Sequence, residues 1–337
     1  MVPPAVTVVS ILALFSTHVS GTTRVGRTNM TAGGGKSANT PRRLVMCITG
    51  QKTRLEVSSK LQNFVKYNTA KGHIVDVLAI LDPSDEARFV NTPEKDTEHH
   101  DYLSAFKGHA NMVVHHKYVQ PEDPETPKWY MDILANGHKF WVDAKDRAQN
   151  HVRQFAAMEQ CYDRILDMEF KNGHRYDEIF RVRDDSFIMA PVNPLHDVAE
   201  MERPDILTPH CDNWLGLNDK AALMLRSVGE TYFRGFFKAL FLEPIHNSVA
   251  NPETITFQII KKAGLKLHQD GLRMMVAPIR GNAKDGCIHL IYHSCWEDTF
   301  ELANYTLPEE HPWCEADKEH HHYRHQYRYV HWDRLQH

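Results

Sequence analysis

Residues 176–188 read YDEIFRVRDDSFI, an apolar run of β type that closes on two adjacent carboxylates, Asp184 and Asp185. The alternation of apolar residues before this pair is typical of a buried strand. Two unpaired carboxylates between apolar flanks are costly to bury, because each charge loses its hydration unless a metal or a cationic side chain compensates it. We therefore expect a cation at the end of this strand.

The first segments of the globular region predict a parallel sheet. An apolar run at 44–50, a helical pattern at 53–67 and a second apolar run at 73–82 form a β-α-β unit. Open sheets of this kind bind ligands beyond the carboxyl ends of their strands. The residues that fall at these ends are Thr49, Gly50 and Asp82.

Later segments continue the pattern of helices and strands. An amphipathic helix at 148–170 would deliver the chain into the strand that ends at the acid pair. Further strands are predicted at 112–114, 205–208 and 274–277, and further helices at 220–240 and from Pro252, where Asn251 is a favourable cap. The fold class is therefore α/β, a mostly parallel central sheet flanked by helices in one domain at 42–300.

The composition is that of a globular protein without a nucleic-acid partner. A chain of 337 residues with 42% hydrophobic content is able to bury a core. Its net charge of -4 gives no overall basic field of the kind that draws proteins to nucleic acid. The 23 histidines are spread over many segments, which is typical of surface and core positions rather than of one large metal centre.

The N-terminus predicts a route through the secretory pathway. Residues 1–20 are mainly apolar and carry no Lys, Arg, Asp or Glu, as in a signal peptide or a short signal anchor, with a buried N-terminal strand as the alternative. Residues 21–41 have the composition of a flexible stem. We expect an ER or Golgi luminal protein, or a secreted one, that contacts the membrane only through this possible anchor. Sequons at Asn29 and Asn304 would then be usable, the second within a His/Tyr/Arg-rich C-terminal extension at 301–337.

The six cysteines fit an oxidising compartment but do not form the framework of a small disulfide scaffold. Cys47 and Cys161 lie in apolar contexts and are predicted to be buried thiols. A bridge is expected among the cysteines of the C-terminal loops, which are Cys287, Cys295 and Cys314.

Several segments together resemble the GT-A-fold glycosyltransferases. The acid pair after Arg183 is similar to their metal-binding Asp-x-Asp element, although the two acids are adjacent here, which leaves the division of labour between them open. The other similar segments are Gln154-Phe155 with Cys161 and Tyr162, Trp214–Lys220 and Asn251–Glu253. The resemblance covers about residues 44–277. It implies a Rossmann-like GT-A domain that moves a sugar from a nucleotide-sugar donor to a hydroxyl of a glycan or glycoprotein.

The resemblance also implies roles for individual residues. Asp185 would bind Mn²⁺ or Mg²⁺, with His293 as a further ligand, because these ions keep several water or phosphate ligands and need few protein carboxylates. The ion would stabilise the departing diphosphate. Trp214 would stack against an acceptor sugar. Donor contacts are expected from Thr49, Gly50, Arg54, Asp82, Arg183 and Asp184.

Two acids are candidates for the catalytic base, Asp219 and Glu253. Each has a structural alternative, since Asp219 precedes a predicted helix and Glu253 lies in the first turn of another, where acids are stabilising. The acid pair also has an alternative, a structural ion-pair cluster with Arg181 and Arg183. For His293 and Trp214 the alternative is simple packing.

Two other functions remain open. A luminal sulfotransferase would use residues 49–53 as a phosphosulfate loop, with Lys52 at its centre and no divalent metal. A non-catalytic glycan-binding protein would keep the fold without turning over a donor.

Overall fold

The computed structural model describes residues 40–83, 103–119, 126–137, 144–211, 213, 216–242, 251–279, 287–291 and 327–331. The predicted signal segment, almost all of the predicted stem, Trp214 and His293 lie outside these ranges, so the predictions made for them stay predictions. Within the described ranges, no helix combines the length and the apolar character that crossing a bilayer requires.

The strands in chain order are Arg43–Gln51 (β1), Ile74–Asp82 (β2), Met112–Lys117 (β3), Glu178–Arg183 (β4), Ser186–Ile188 (β5), Ile206–Thr208 (β6), Ala221–Leu225 (β7), Leu267–Gln269 (β8), Val276–Pro278 (β9), Cys287–Ile291 (β10) and Tyr327–His331 (β11). Seven of them form one sheet in the order β3-β2-β1-β4-β7-β6-β8. Two small antiparallel pairs accompany it, β5 with β9 and β10 with β11.

The central sheet is mostly parallel, as predicted. Strands β3, β2, β1 and β4 run in one direction, and β7 runs antiparallel to both of its neighbours, β4 and β6. The register places Thr49 beside Arg183 and Gln51 beside Asp82. The carboxyl ends of β1, β2 and β4 therefore share one edge of the sheet.

Helices cover both faces of this sheet. They are Ser58–Lys60 (α1) and Tyr67–Ala70 (α2), joined by a π-helical segment at Leu61–Lys66, then Lys128–Gly137 (α3), Ala144–Asn172 (α4), Gly229–Phe237 (α5) and Pro252–Lys262 (α6). Strand β4 alternates between the two layers, because Ile179 packs with α4, α5 and α6 whereas Phe180 packs with Phe64 on the other side. The result is the three-layer α/β architecture expected from the sequence.

One predicted helix is partly a strand. The interval 220–240 begins with β7, which is buried beside β4, and its helix α5 starts only at Gly229. A short, fully apolar run such as Ala-Ala-Leu-Met-Leu has no polar face, so its sequence alone does not separate a strand inside a sheet from a buried helix. The prediction was wrong because pairing with β4 decides the conformation.

Cys47 and Cys161 form a disulfide, contrary to the prediction of two buried thiols. Cys47 lies in β1 and Cys161 in α4, and both are fully buried in the layer between sheet and helix. Their apolar contexts correctly indicated burial, but packing of α4 on β1 is what brings the sulfur atoms together. Cys211 is also disulfide-bonded.

Removing the Cys47–Cys161 bridge should destabilise the protein strongly. The bridge joins residues separated by 114 positions. Closing so long a loop lowers the conformational entropy of the unfolded chain, which stabilises the folded protein by about 3–5 kcal/mol. We expect Cys47→Ala, Cys161→Ala and the double variant to lose similar stability in urea denaturation, because either substitution removes the same bond. A double variant that loses the sum of two large single effects would contradict the bridge, as would a non-reducing peptide map without the cross-link.

Candidate functional site

The acid pair forms a tight turn between β4 and β5 at the carboxyl edge of the sheet. The backbone N–H of Asp184 donates to the Thr49 carbonyl at 2.9 Å, and the Ile279 N–H donates to the Asp185 carbonyl at 2.7 Å. Both aspartates are fully buried. The turn is thus fixed by neighbouring strands, and the two carboxylates need compensation inside the protein.

Arg54 and the loop after β1 compensate Asp184. The Arg54 Nε and Nη2 atoms donate to the two carboxylate oxygens at 2.8 and 3.1 Å, and the Gln51 backbone N–H adds a bond of 2.8 Å to Oδ2. Burial raises the pKa of Asp184, with Arg54 acting against it. Gly50 has φ +142°, and a Cβ there would collide with the same carboxylate. Glycine is therefore required both by backbone conformation and by space.

Arg183 joins Asp185 to Asp219. Its Nε and Nη2 atoms donate to the two oxygens of Asp185, each at 2.9 Å, while Nη1 donates to Asp219 Oδ2 at 2.8 Å. Although burial lowers the pKa of Arg183, the two carboxylates raise it well above its usual value. The bidentate geometry makes this the strongest kind of side-chain ion pair, so the expected cation beside Asp185 is an arginine in this structure.

Asp219 is enclosed by donors. Besides Arg183, its carboxylate accepts from Gln154 Nε2 at 2.9 Å and from the Lys220 ammonium, and its backbone carbonyl accepts from Arg181. Burial acts to raise the pKa of Asp219, but Lys220 and Arg183 together hold it well below the usual range. The residues that follow it form β7, so the alternative of a helix-start acid is wrong.

The ion-pair alternative for the acid pair is correct in part. Arg183 does pair with Asp185, but Arg181 bonds the Asp219 backbone, and the second guanidinium on the pair comes from Arg54. The sequence of β4 alone could not predict that Arg54 takes the place expected for Arg181, because Arg54 lies about 130 residues earlier in the chain.

Lys60 is a buried cation that sequence reasoning missed. Its ammonium donates to the Ser186 carbonyl at 2.6 Å, to the Asp184 carbonyl at 3.2 Å and to Glu56 Oε2 at 3.3 Å. Burial lowers the pKa of Lys60, while Glu56 opposes that shift. The lysine fastens the acid turn to helix α1. The available sequence signal was an acid four residues before it on a helical segment.

Glu253 lies nearly buried in the first turn of α6. The Asn251 side chain caps the helix by accepting from the Thr254 N–H at 2.6 Å, as predicted. The Glu253 carbonyl accepts from the Leu217 N–H at 3.2 Å, and Gly216 packs so closely on that peptide that a Cβ would not fit. The start of α6 is therefore fastened to the loop that leads into Asp219.

A tyrosine–histidine pair lies one turn along α4 from Gln154. The Tyr130 hydroxyl and His151 Nδ1 are 2.7 Å apart. Burial, assisted by Arg147, lowers the pKa of His151 to about 3, so the imidazole is neutral at physiological pH. Burial likewise raises the pKa of Tyr130. No motif in the sequence indicated this pair.

The carboxylates of the acid pair fit a hard divalent cation by donor type, since Mg²⁺ and Mn²⁺ prefer carboxylate oxygen. All four oxygens, however, accept hydrogen bonds from Arg54, Arg183 or the Gln51 N–H. Among the described residues, no group of three or more His, Cys, Asp or Glu side chains is arranged to hold a metal ion.

Gly50→Ala should destabilise the protein by about 3–5 kcal/mol, because the new methyl group displaces a buried carboxylate from its arginine. The positive φ adds a smaller cost. Thermal or urea unfolding measures the difference. Gly264→Ala is the matched control, since Gly264 has φ +67° with open space around it. We expect Gly264→Ala to lower the free energy of unfolding by about 1 kcal/mol, from backbone strain alone. Equal losses of stability in the two variants would contradict the contact between Gly50 and Asp184.

Comparison with known proteins identifies no family. No protein-family model matches the sequence, and the comparison with curated proteins found no match. Among solved structures, the chain is similar to a nucleoside-diphosphate-sugar pyrophosphorylase from Vibrio cholerae RC9, with 12% sequence identity over 67% of this chain and 90% of that chain and a TM-score of 0.35. A similarity at this level supports no statement about what the chain binds.

Proposed function

We propose that the protein is a glycosyltransferase that uses a nucleotide-diphosphate-sugar donor and a divalent metal ion. The observation that carries the proposal is the convergence of Arg54 and Arg183 on Asp184 and Asp185 at the carboxyl edge of β1 and β4. Ligands of open α/β sheets bind at this edge. Paired guanidinium groups beside hard carboxylates suit a diphosphate and its counter-ion.

The donor diphosphate would contact Arg54 and Arg183, whose side chains are each 17% exposed at the rim of the cluster. Asp185 would hold Mn²⁺ or Mg²⁺, with Asp184 beside it as a donor contact, and the bound ion would offset charge on the departing diphosphate. Thr49 and Gly50 position the turn through their contacts with Asp184. Asp82, at the same edge in register with Gln51, is proposed to contact the donor nucleoside.

Glu253 is better suited than Asp219 to act as the base. Asp219 accepts from Lys220, Arg183 and Gln154, and a carboxylate with so low a pKa is a weak proton acceptor. Its proposed role is to orient Arg183. Glu253 lies at the start of α6, fastened to the loop before Asp219. The acceptor is proposed to be a glycan or glycoprotein hydroxyl, with the acceptor sugar ring stacked on Trp214.

The proposed location is the lumen of the ER or Golgi. The Cys47–Cys161 bridge supports it, because structural disulfides persist in oxidising compartments. The uncharged segment at 1–20 would direct the chain there and provide the only membrane contact.

The sulfotransferase alternative is less compatible with the loop after β1. The Gln51 N–H, which would be needed to bind a phosphate, donates to Asp184, and the Asp184 carboxylate fills the space beside Gly50. The N–H and the space that a phosphosulfate would need in this loop are therefore already taken by Asp184.

A panel of nucleotide sugars should reveal the donor by metal-dependent thermal stabilisation. We expect one donor class to raise the melting temperature with Mn²⁺ but not with a chelator, and Asp185→Asn to remove this gain because it takes away an ionised ligand. Asp167→Asn, on the half-exposed end of an ion pair with Arg164, is the control and should behave as wild type. Lys52→Ala should also retain donor binding.

Stabilisation by phosphoadenosine phosphosulfate alone, lost in Lys52→Ala, would favour the sulfotransferase instead. Glycan binding without donor binding, unaffected by Asp185→Asn, would favour the non-catalytic alternative.

Glu253→Gln should lower kcat by about 10²–10⁴ with little change in KM, because it removes the proton acceptor and keeps the shape of the side chain. Asp219→Asn should instead lose about 3–5 kcal/mol of stability, since Lys220 and Arg183 each lose an ionised acceptor inside a buried cluster. Steady-state kinetics and urea unfolding of the two variants test this division. Full activity of Glu253→Gln would show that the base lies elsewhere.

A further inference from the structure

We propose that the first two turns of α4 bind a carboxylate of the acceptor through the Arg147 guanidinium and the Nε2–H of His151, so that the acceptor is a glycan with an acidic sugar. This inference rests on the proposed function and names the chemical class of its acceptor. It concerns side chains that the proposed donor site does not use.

The direction of α4 places its first turns at the ligand edge of the sheet. The helix ends at Asn172, and the Asp177 N–H shortly after it donates to the Arg43 carbonyl at 2.8 Å, where β1 begins. The opposite end of α4 therefore lies toward the carboxyl ends of the parallel strands. The bond of 2.9 Å from Gln154 Nε2 to Asp219 agrees with this direction, because Asp219 belongs to the charged cluster at that edge.

Arg147, His151 and Gln154 lie on one face of α4. They are spaced by four and three residues, and side chains at these spacings are neighbours along a helix. All three residues are partly exposed. Burial lowers the pKa of His151 to about 3, and Arg147 is near enough to add to this shift. A ligand at this face can therefore contact the guanidinium and the imidazole together.

Tyr130 determines which nitrogen of His151 carries the proton. The Tyr130 hydroxyl lies 2.7 Å from Nδ1, and this buried residue makes no other hydrogen bond through its side chain to the described part of the chain. A buried hydroxyl without an acceptor is destabilising. The phenol therefore donates to Nδ1, and the proton of the neutral imidazole is on Nε2. His151 thus presents an N–H donor that Tyr130 holds in one orientation.

Both proposed donors are available within the described ranges. Neither Arg147 nor the Nε2 atom of His151 bonds to another side chain there. Arg54 and Arg183, at the same edge, are by contrast paired with buried carboxylates. Arg147 is therefore a cation that can pair with a ligand without breaking an ion pair of the folded protein.

The surrounding charges favour a ligand group with one negative charge. Arg147 supplies one positive charge, whereas His151 is neutral at physiological pH. Burial raises the pKa of Tyr130, and Glu253 is close enough to add to that rise while Arg147 opposes it. A carboxylate matches one guanidinium and one neutral N–H. A phosphate monoester carries about two charges and would be repelled more strongly by Glu253.

Ligand-observed NMR titrations of the full-length chain with single sugars test the site. Two matched pairs, glucuronate with glucose and galacturonate with galactose, differ within each pair by the carboxylate. We expect the acid of at least one pair to bind about tenfold more tightly than its neutral partner, as one charge-assisted contact provides. Arg147→Gln should remove the preference, and Arg153→Gln, which removes an exposed arginine from the same helix, should keep it.

Two results would overturn the inference. The first is equal affinity for acid and neutral sugar in both pairs, or a preference that survives in Arg147→Gln. The second is tighter binding of glucose 6-phosphate than of glucuronate, which would contradict the assignment to a carboxylate. If Arg147→Gln does not fold, Arg147→Lys retains the charge without the planar fork and should lower the preference about threefold.

Histidine nitrogen chemical shifts test the role of Tyr130. The resonances that disappear in His151→Gln belong to His151, and they should show a protonated Nε2 and an unprotonated Nδ1, unchanged between about pH 5 and pH 8 where free histidine titrates. Tyr130→Phe keeps the ring but removes the hydroxyl, so it should mix the two tautomers and lower the affinity for the preferred acid at least about threefold. A protonated Nδ1 in wild type would overturn the assignment of Nε2–H as the donor.

Failure of this inference is distinguishable from failure of the proposed function. If nucleotide sugars bind but neither acid is preferred, the acidic acceptor is wrong and the donor proposal stands. If the preference for an acid depends on Arg147 but no nucleotide sugar binds, the proposed function fails and the carboxylate site stands.

Discussion

Two adjacent carboxylates lie fully buried at the end of β4, and the need to neutralise them shapes much of the surrounding structure. Arg54 arrives from the turn after β1, Arg183 folds back from β4 itself, and Lys60 fastens the turn carbonyls from α1. Removal of one member of such a buried network leaves an unpaired charge at a cost of about 3–5 kcal/mol. The cluster is therefore a structural element of the fold as well as a candidate site.

These two roles are compatible because the compensation comes from arginines. A guanidinium fork satisfies a carboxylate in the absence of ligand and is equally suited to a phosphate. Structural clusters of this kind do not need a ligand, but their position at the carboxyl edge of a mostly parallel sheet is where ligands of this architecture bind. Asp219, whose pKa is held low, anchors Arg183 through a hydrogen bond of 2.8 Å.

Periodicity predicted most of the fold, since β1, β2, β3, β4, α4 and α6 occur where apolar patterns and caps indicated them. Periodicity did not predict β7, because all five of its residues are apolar and such a run shows neither the period of a strand nor that of a helix. For the site, strand ends correctly predicted that Thr49, Gly50, Asp82 and the acid pair share one edge. The partners of the acid pair were not predictable, because Arg54 and Lys60 reach it across long stretches of sequence.

The sequence by itself determined the α/β class, the edge at which the polar side chains gather and the need for a cation beside Asp184 and Asp185. These follow from local rules, since hydrophobic period, strand ends and the cost of burying charge all depend on neighbouring residues. Only the tertiary structure decided that arginines supply the cation, that Cys47 and Cys161 are bonded and that Asp219 is locked among donors. Each of these depends on which distant segments the packing of α1 and α4 brings against the sheet.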